Sequence, residues 1–371
     1  MIPLTLLLAA ASALAVAQSP VPAYMPWQMQ DSGTTAGLRG IDSVDGTVAW
    51  ASGTNGTVLK TTDGGTRWQK CAVPDADKDG ATLDFRGVQA WDATTAILMA
   101  SGPGDKSRIY KTSDGCQTWK LVFTNPDKDG FWDAIAADRK MGILIGDPIG
   151  GRFEIFASTD SGLEKWDRFG ERSDYEHFRF DPAPNEGEEL FAASNSNMKG
   201  LPTMGIFFVT GGPHGAFFAY GAWAKDRSSG YPTAGFAKIR LPLAEGKSAG
   251  AFSFSCAEKK FSHSDLKCIT VGGDYLLAGS PNGTAAYSSN SGMRWKASRT
   301  FPHGYRSSVQ WSESQKLWIT VGTNGSDLSR DDGKTWQPLD DGNWNALSLP
   351  FVVGPNGRIA RLNAAALPAT K

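Results

Sequence analysis

The chain has 371 residues and nearly balanced charge, 37 Lys and Arg against 38 Asp and Glu. The resulting formal charge of -1 excludes a main task of coating nucleic acid, which needs a basic excess to displace counterions. With 43 Gly and 13 Trp and no sustained apolar spacing of helical period, it reads as many short strands joined by glycine-rich turns, an all-β class.

Residues 1–17 carry the apolar run Leu6 to Ala11 and end in Ala15-Val16-Ala17, a small-x-small cleavage pattern. We read them as a signal peptide, with a plain hydrophobic tail as the competing reading because no Lys or Arg precedes the run. Residues 18–25 read as a linker. No later stretch approaches the ~20 apolar residues of a membrane span, and no Cys follows the cleavage site to carry a lipid. The expectation is a soluble, monomeric, exported protein, periplasmic or extracellular, or lumenal in a photosynthetic host. In such an oxidising compartment the four cysteines can pair. Cys256 ends one strand-like run and Cys268 opens the next, so a hairpin brings them side by side. That leaves Cys71 with Cys116, for which two free buried thiols are the competing reading.

From residue 26 the chain is repetitive. Thr62-Asp63-Gly64-Gly65-Thr66-Arg67-Trp68 recurs at Asp114 to Trp119, at Asn290 to Trp295 and at Asp331 to Trp336, with a looser copy from Asp160 to Trp166. Each copy follows two short apolar runs, as in Ala49 to Gly53, an Asn-Gly turn, then Val58 to Lys60. The repeat resembles the Asp box, or BNR repeat, of β-propellers, a turn between the two outer strands of a blade. In it the Asp (or Asn290) accepts backbone N–H groups, Gly supplies positive φ, and the Trp ring is buried between neighbours. We therefore assign the boxes a structural role.

Read in order, the units fall near residues 38–70, 84–123, 130–169, 189–244, 248–298, 303–339 and 342–363. The expected fold is a seven-bladed β-propeller over 26–363 with a flexible tail at 364–371. The fourth unit has lost its box and carries an insertion from Lys225 to Thr233. The last unit is a strand short, and Trp27 to Ser32 is expected to pair beside Arg358 to Arg361 and close the ring, leaving no exposed edge.

The runs Leu38-Arg39-Gly40-Ile41, Trp50 to Leu59, Thr61 to Gly65, Phe85-Arg86-Gly87-Val88, Ile109 to Thr112, Gly146-Asp147-Pro148, Gly272 to Tyr275 and Gly354 to Ala360 resemble the photosystem II stability and assembly factor family. The likeness covers nearly all of the mature chain. It implies a seven-bladed propeller. In photosynthetic members it implies a lumenal chaperone that binds a newly made membrane protein through an arginine patch.

Equivalent repeat positions should ring one mouth of a central channel. The x-Arg-Gly pattern aligns Arg39 and Arg86 with Arg306 of Tyr305-Arg306-Ser307, the other units presenting Asp133, Asn345 and Gly250. Loops on the same face add Asp147, Asp274 and His214. Three arginines there can hold a carboxylate or a peptide terminus through forked hydrogen bonds. The competing reading pairs them with Asp133, Asp147 and Asp274 as blade fasteners.

Two loops, Asp75-Ala76-Asp77-Lys78-Asp79-Gly80 and Asn125 to Gly130, resemble half a calcium loop but lack the closing Glu, so Asp75, Asp77 and Asp79 are weak metal candidates. Gly246 to Gly250 matches a nucleophile elbow without its helix, and His177, His214, His263 and His303 show no metal-ligand spacing. No cofactor is expected, for want of a dinucleotide fingerprint. Two functions follow: a non-catalytic platform for a protein partner such as a membrane-protein assembly intermediate, or a sialidase-like glycosidase using the arginine trio with Tyr305 as nucleophile. Against the second, no acidic pair for glycoside chemistry can be placed.

Overall fold

The computed structural model describes residues 25–169, 183–201, 205–225, 232–257 and 266–368. The expected signal peptide, His177, His263 and most of the Lys225 to Thr233 insertion lie outside these residues.

The described chain is all-β, built of antiparallel sheets. Strand β1 (Trp27–Gln30) precedes a first sheet of β2 (Leu38–Ser43), β3 (Ala49–Gly53), β4 (Val58–Thr61) and β5 (Gln69–Lys70). The second holds β6 (Phe85–Ala90), β7 (Ala96–Ala100), β8 (Arg108–Thr112) and β9 (Lys120–Thr124), the third β10 (Trp132–Ala137), β11 (Gly142–Ile149), β12 (Arg152–Ser158) and β13 (Asp167–Arg168). Next come β14 (Met198–Leu201), β15 (Gly205–Gly212), β16 (Ala216–Lys225) and β17 (Pro232–Leu241), joined through a β15–β18 pairing to β18 (Gly246–Cys256), β19 (Cys268–Asp274), β20 (Ala285–Ser288) and β21 (Lys296–Ala297). A further sheet holds β22 (Ser308–Ser312), β23 (Leu317–Gly322), β24 (Gly325–Ser329) and β25 (Gln337–Asp340). The last holds β26 (Ala346–Ser348), β27 (Phe351–Val353) and β28 (Ile359–Leu362), to which β1 adds from the other end of the chain, Trp27 opposite Leu362 and Gln30 opposite Ile359.

Second strands such as Ala96–Ala100 are buried at every residue, because both faces of each sheet are covered by neighbouring sheets, which is why they read as unbroken apolar runs. The core is accordingly divided into layers between sheets. One packs Trp50, Val58, Phe85, Val88, Leu98 and Tyr110, another Trp27, Leu317, Ile319, Trp344 and Val352. First strands pack edge to edge: β2 on β6, β6 on β10, β10 on β14, β18 on β22, β22 on β26, and β26 back on β2.

Four of the five repeated turns share one set of bonds. Thr61 Oγ1 accepts from the Gly65 amide and Asp63 Oδ1 from the Arg67 amide. Asp114, Asn290 and Asp331 repeat the second bond with Thr118, Arg294 and Thr335, and Asp160 takes Glu164 and Lys165. Trp68, Trp166 and Trp336 are buried, while Trp119 and Trp295 are only half-buried. Straps missed in the sequence tie three of these turns to a neighbouring sheet. Lys60 Nζ donates to Gly115 O, Lys111 Nζ to Gly162 O, and Arg361 to Gly64 O.

Both expected cystine pairs are present. Cys71 joins Cys116 across two sheets, with Cα atoms 5.3 Å apart, and Cys256 joins Cys268, its register partner in β18–β19. In the described part of the expected tail, Ala364–Ala366 forms a 3-10 turn, and Leu367 packs against the last core layer.

Candidate functional site

The first strands share a local feature that aims side chains out of the ladder. In β2, Leu38 pairs with Gly53 and Gly40 with Ser52, so Arg39 is the extra residue of a β-bulge. Arg86 in β6, Asp133 in β10 and Phe252 in β18 are bulge residues in the same way. A bulge re-aims its extra side chain and ends regular pairing. Four of these strands therefore present Arg39, Arg86, Asp133 and Phe252 from equivalent positions.

Arg306 is not one of them. Backbone bonds from Leu38 N to Gly354 O, Trp344 N to Gly322 O and Arg306 N to Gly272 O are equivalent, so Arg306 stands where Leu38 and Trp344 stand, in the buried layer. Ser307 takes the position of Arg39. The repeat alignment slips by one residue here, and a one-residue slip moves every side chain to the other face. Arg306 has no exposed surface, and its Nε donates to Asp327 Oδ2 at 2.7 Å and its Nη1 to Asn324 Oδ1 at 2.7 Å. The Gly250 assignment fails similarly, since the bulge falls on Phe252.

Arg39 and Arg86 flank Asp84, a carboxylate the sequence reading missed. Arg86 Nε donates to Asp84 Oδ2 at 2.8 Å and its Nη1 to Ala192 O at 3.2 Å. Arg39 Nε stands 3.9 Å from Asp84 Oδ1, too far for a hydrogen bond, and its side chain is 36% exposed. Arg86 and Arg306 thus pair with Asp84 and Asp327, each within its own sheet or the segment leading into it, rather than across blades with the expected Asp133, Asp147 and Asp274.

Asp133 is fully buried, and its Oδ2 has no hydrogen-bond partner among the described residues. Burial, helped by repulsion from Asp147, pushes its carboxyl well above the usual range, against the pull of Arg86. Asp147, which accepts the Leu190 amide at 2.9 Å, is pushed up to about 7, mainly by burial. Glu189 raises both carboxyls electrostatically.

Asp274 and Asn345 serve the frame. Asp274 Oδ1 accepts from Ser248 Oγ and from the Leu276 amide, capping the 3-10 turn Tyr275–Leu277. Asn345 Nδ2 donates to Leu38 O at 2.7 Å. His214 is exposed, and no hydrogen bond among the described residues draws it to the arginines.

Beside Arg39 lies an aromatic shelf. Phe191 stacks on Phe252 at 4.1 Å, and Tyr305 meets Phe252 edge-on at 4.8 Å. Tyr275 closes the group, followed by the exposed Leu276 and Leu277. Together these groups offer a forked cation with spare donors, an aromatic cluster whose exposed edge is Tyr275, Leu276 and Leu277, and carboxyls that can shed charge. This chemistry suits a peptide bearing a carboxylate next to apolar side chains.

Two other expectations are corrected. Burial drives the Tyr305 phenol far above its ordinary value, and no carboxylate hydrogen-bonds it among the described residues. With Arg306 buried on Asp327, the arginine trio expected for a glycosidase is not brought together. The calcium loop is closed by the chain's own cations: Asp79 is held by Arg108, at 2.7 and 3.0 Å, and by Lys106, while Asp75 accepts from Tyr110 at 2.8 Å. No cluster that includes Asp77 is positioned for a metal ion among the described residues.

No family model matches the chain. A curated relative, the photosystem II assembly lipoprotein Ycf48 of Synechococcus sp. (strain CC9902), is 22% identical over 197 residues, 52% of this chain and 52% of that protein. The chain thus matches about half the length of that relative. Among solved structures, YCF48 bound to D1 peptide superposes with a TM-score of 0.57 at 18% identity, covering 91% of this chain and 97% of that one. YCF48 from Cyanidioschyzon merolae gives 0.58 at 16% identity, covering 91% and 98%. In sequence over half its length, and in fold over most of it, the chain is similar to the photosystem II assembly factors of the Ycf48 type.

Proposed function

We propose that the chain is an exported, non-catalytic propeller of seven Asp-box blades, closed into a ring by β1, that acts as an assembly or stability factor. It holds an extended segment of a membrane-protein intermediate on the face that carries Arg39 and Arg86. The pairing of β1 with β28 and the packing of β26 on β2 support the closed ring. The observation that carries the function is Arg39: a bulge-mounted guanidinium with an unused hydrogen-bonding fork, beside an apolar shelf. Arg is suited to this task because its planar fork meets a carboxylate at two points. That a protein of the same fold was solved with a D1 peptide supports a peptide ligand of the same kind.

Co-purification of the tagged chain from the exported fraction of its native host tests this reading. Wild type should retain a membrane-protein partner that Arg39→Ala/Arg86→Ala loses while keeping its thermal midpoint. Identical partner lists for the two would remove the arginine face from the account.

A further inference from the structure

The ends of the first strands opposite the arginine face surround a second feature, a cavity of about 790 Å³ lined from β2, β6, β10, β14, β18, β22 and β26. This size lies in the range of small-molecule sites. Its polar groups are unusual in sign. Gln89 Oε1 accepts the Ala137 amide at 2.6 Å, Asn195 Oδ1 the Ile135 amide at 2.8 Å, and Gln310 Oε1 the Leu349 amide at 2.7 Å. A backbone N–H can only donate, so in all three carboxamides the oxygen is fixed as the bonded atom and the NH2 group is left over. None of these NH2 groups meets an acceptor among the described residues. Three sheets thus supply unused donors to one space.

Lys199 of β14 lines the same cavity and has no hydrogen-bonded partner among the described residues. Burial lowers its pKa, and Asp42 opposes that electrostatically. Two carboxylates share the lining: Asp42, whose Oδ2 accepts the Ala90 amide at 2.7 Å, and Glu313, which is held by Trp311 Nε1 at 2.7 Å and by Lys316. Around the polar groups the wall is aliphatic, from Ile41 and Val88 among others. Three spare amide donors around an ammonium that makes no hydrogen bond among the described residues favour an anion, since leaving the donors without an acceptor costs desolvation without return. The aliphatic wall favours an apolar body on that anion.

We propose that this cavity is a binding site for a small organic carboxylate with an apolar chain, its carboxylate at Lys199 and the NH2 groups of Gln89, Asn195 and Gln310. The site is separate from the arginine face and does not rest on partner binding there.

Calorimetric titration of the full chain with sodium octanoate, octanamide and inorganic phosphate tests it. Octanoate should bind saturably at one site, and octanamide and phosphate at least about tenfold more weakly. Lys199→Met should weaken octanoate by about tenfold or more, Lys199→Arg should retain it, and Arg39→Ala/Arg86→Ala should leave it unchanged. Gln310→Glu is a second variant that keeps an acceptor for the Leu349 amide while replacing the NH2 donor by an anionic oxygen. It should also lose octanoate, and it keeps the test valid if Lys199→Met fails to fold. Octanamide or phosphate binding as tight as octanoate, wild-type affinity in folded Lys199→Met or Gln310→Glu, or no saturable octanoate binding would each overturn the proposal.

Discussion

Arg306 and Asp327 form an ion pair in which neither side chain has exposed surface, the guanidinium meeting Asp327 Oδ2 through both Nε and Nη2. His303 Nδ1 lies 2.8 Å from the other carboxylate oxygen. Removing one partner of a buried pair leaves the other charge without compensation, so Asp327→Ala should cost about 3–5 kcal/mol of folding stability. Urea unfolding monitored by tryptophan fluorescence measures the loss. A cost within the scatter of surface substitutions would show that Arg306 has another route to solvent or to a counter-charge.

Asp147 and Asp133 reverse the usual behaviour of carboxyls with pH. Burial holds Asp147 up near about 7 and Asp133 well above the ordinary range, whereas in the unfolded chain both titrate near about 4. Between about pH 4 and 7 the folded chain keeps protons that the unfolded chain has released. Their contribution to stability is therefore largest below about pH 4 and is lost as pH rises through about 7. Asp147→Asn keeps an acceptor for the Leu190 amide. It should flatten that fall, by up to about 1.4 kcal/mol for each pH unit of the window, and leave the variant more stable than wild type at about pH 8. Parallel stability curves for the two proteins across this range would contradict the burial argument.

The two cystines differ in the length of chain they close. Cys71 and Cys116 are 45 residues apart, and Cys256 and Cys268 are 12 apart. By chain entropy alone, loss of the longer cross-link should cost about 1 kcal/mol more than loss of the shorter. Thermal melts of Cys71→Ala/Cys116→Ala and Cys256→Ala/Cys268→Ala would rank them, the reverse order counting against an entropic origin.

While β1 pairs with the last sheet, the Trp27 side chain anchors it against the sheet of β22–β25. It is 4% exposed, its Nε1 donates to Ser326 Oγ at 3.0 Å, and its ring lies 6.0 Å from that of Trp344. Trp27→Ala should cost about 3–5 kcal/mol, as expected for truncating a large buried ring. Trp27→Phe keeps most of the packing and should lose about 1 kcal/mol with the indole bond. Equal midpoints for Trp27→Ala and wild type would mean that β1 adds nothing to the sheet.

The turns were legible in the sequence because their geometry admits few residues. Asp63 must accept the Arg67 amide, and Gly64 and Gly65 sit at φ of +73° and +86°, so the motif recurs recognisably, with Asn290 in place of the Asp in one copy and Cys116, Ser291 or Asp332 in place of one Gly. The first strands were harder to read. Tyr305-Arg306-Ser307 looks like Leu38-Arg39-Gly40, but the signal that fixes the register is the glycine ending the second strand. Gly322 of β23 answers to Gly53 of β3 and places Ser307, not Arg306, beside Arg39. Asp84 escaped notice because it precedes the repeat in only one unit. Lys199 escaped because the fourth unit lost its turn motif, and with it the template for alignment.

The central claim is that a protein segment lies on the arginine face, and the most direct test is photocrosslinking in the native host. p-Benzoylphenylalanine would replace Leu276, 72% exposed beside the aromatic shelf, or Leu121, 39% exposed on an outermost strand. The account predicts a membrane-protein adduct from position 276 that disappears in the Arg39→Ala/Arg86→Ala background and is absent from position 121. Equal adducts from both positions, or an adduct at 276 that is indifferent to the two arginines, would contradict it.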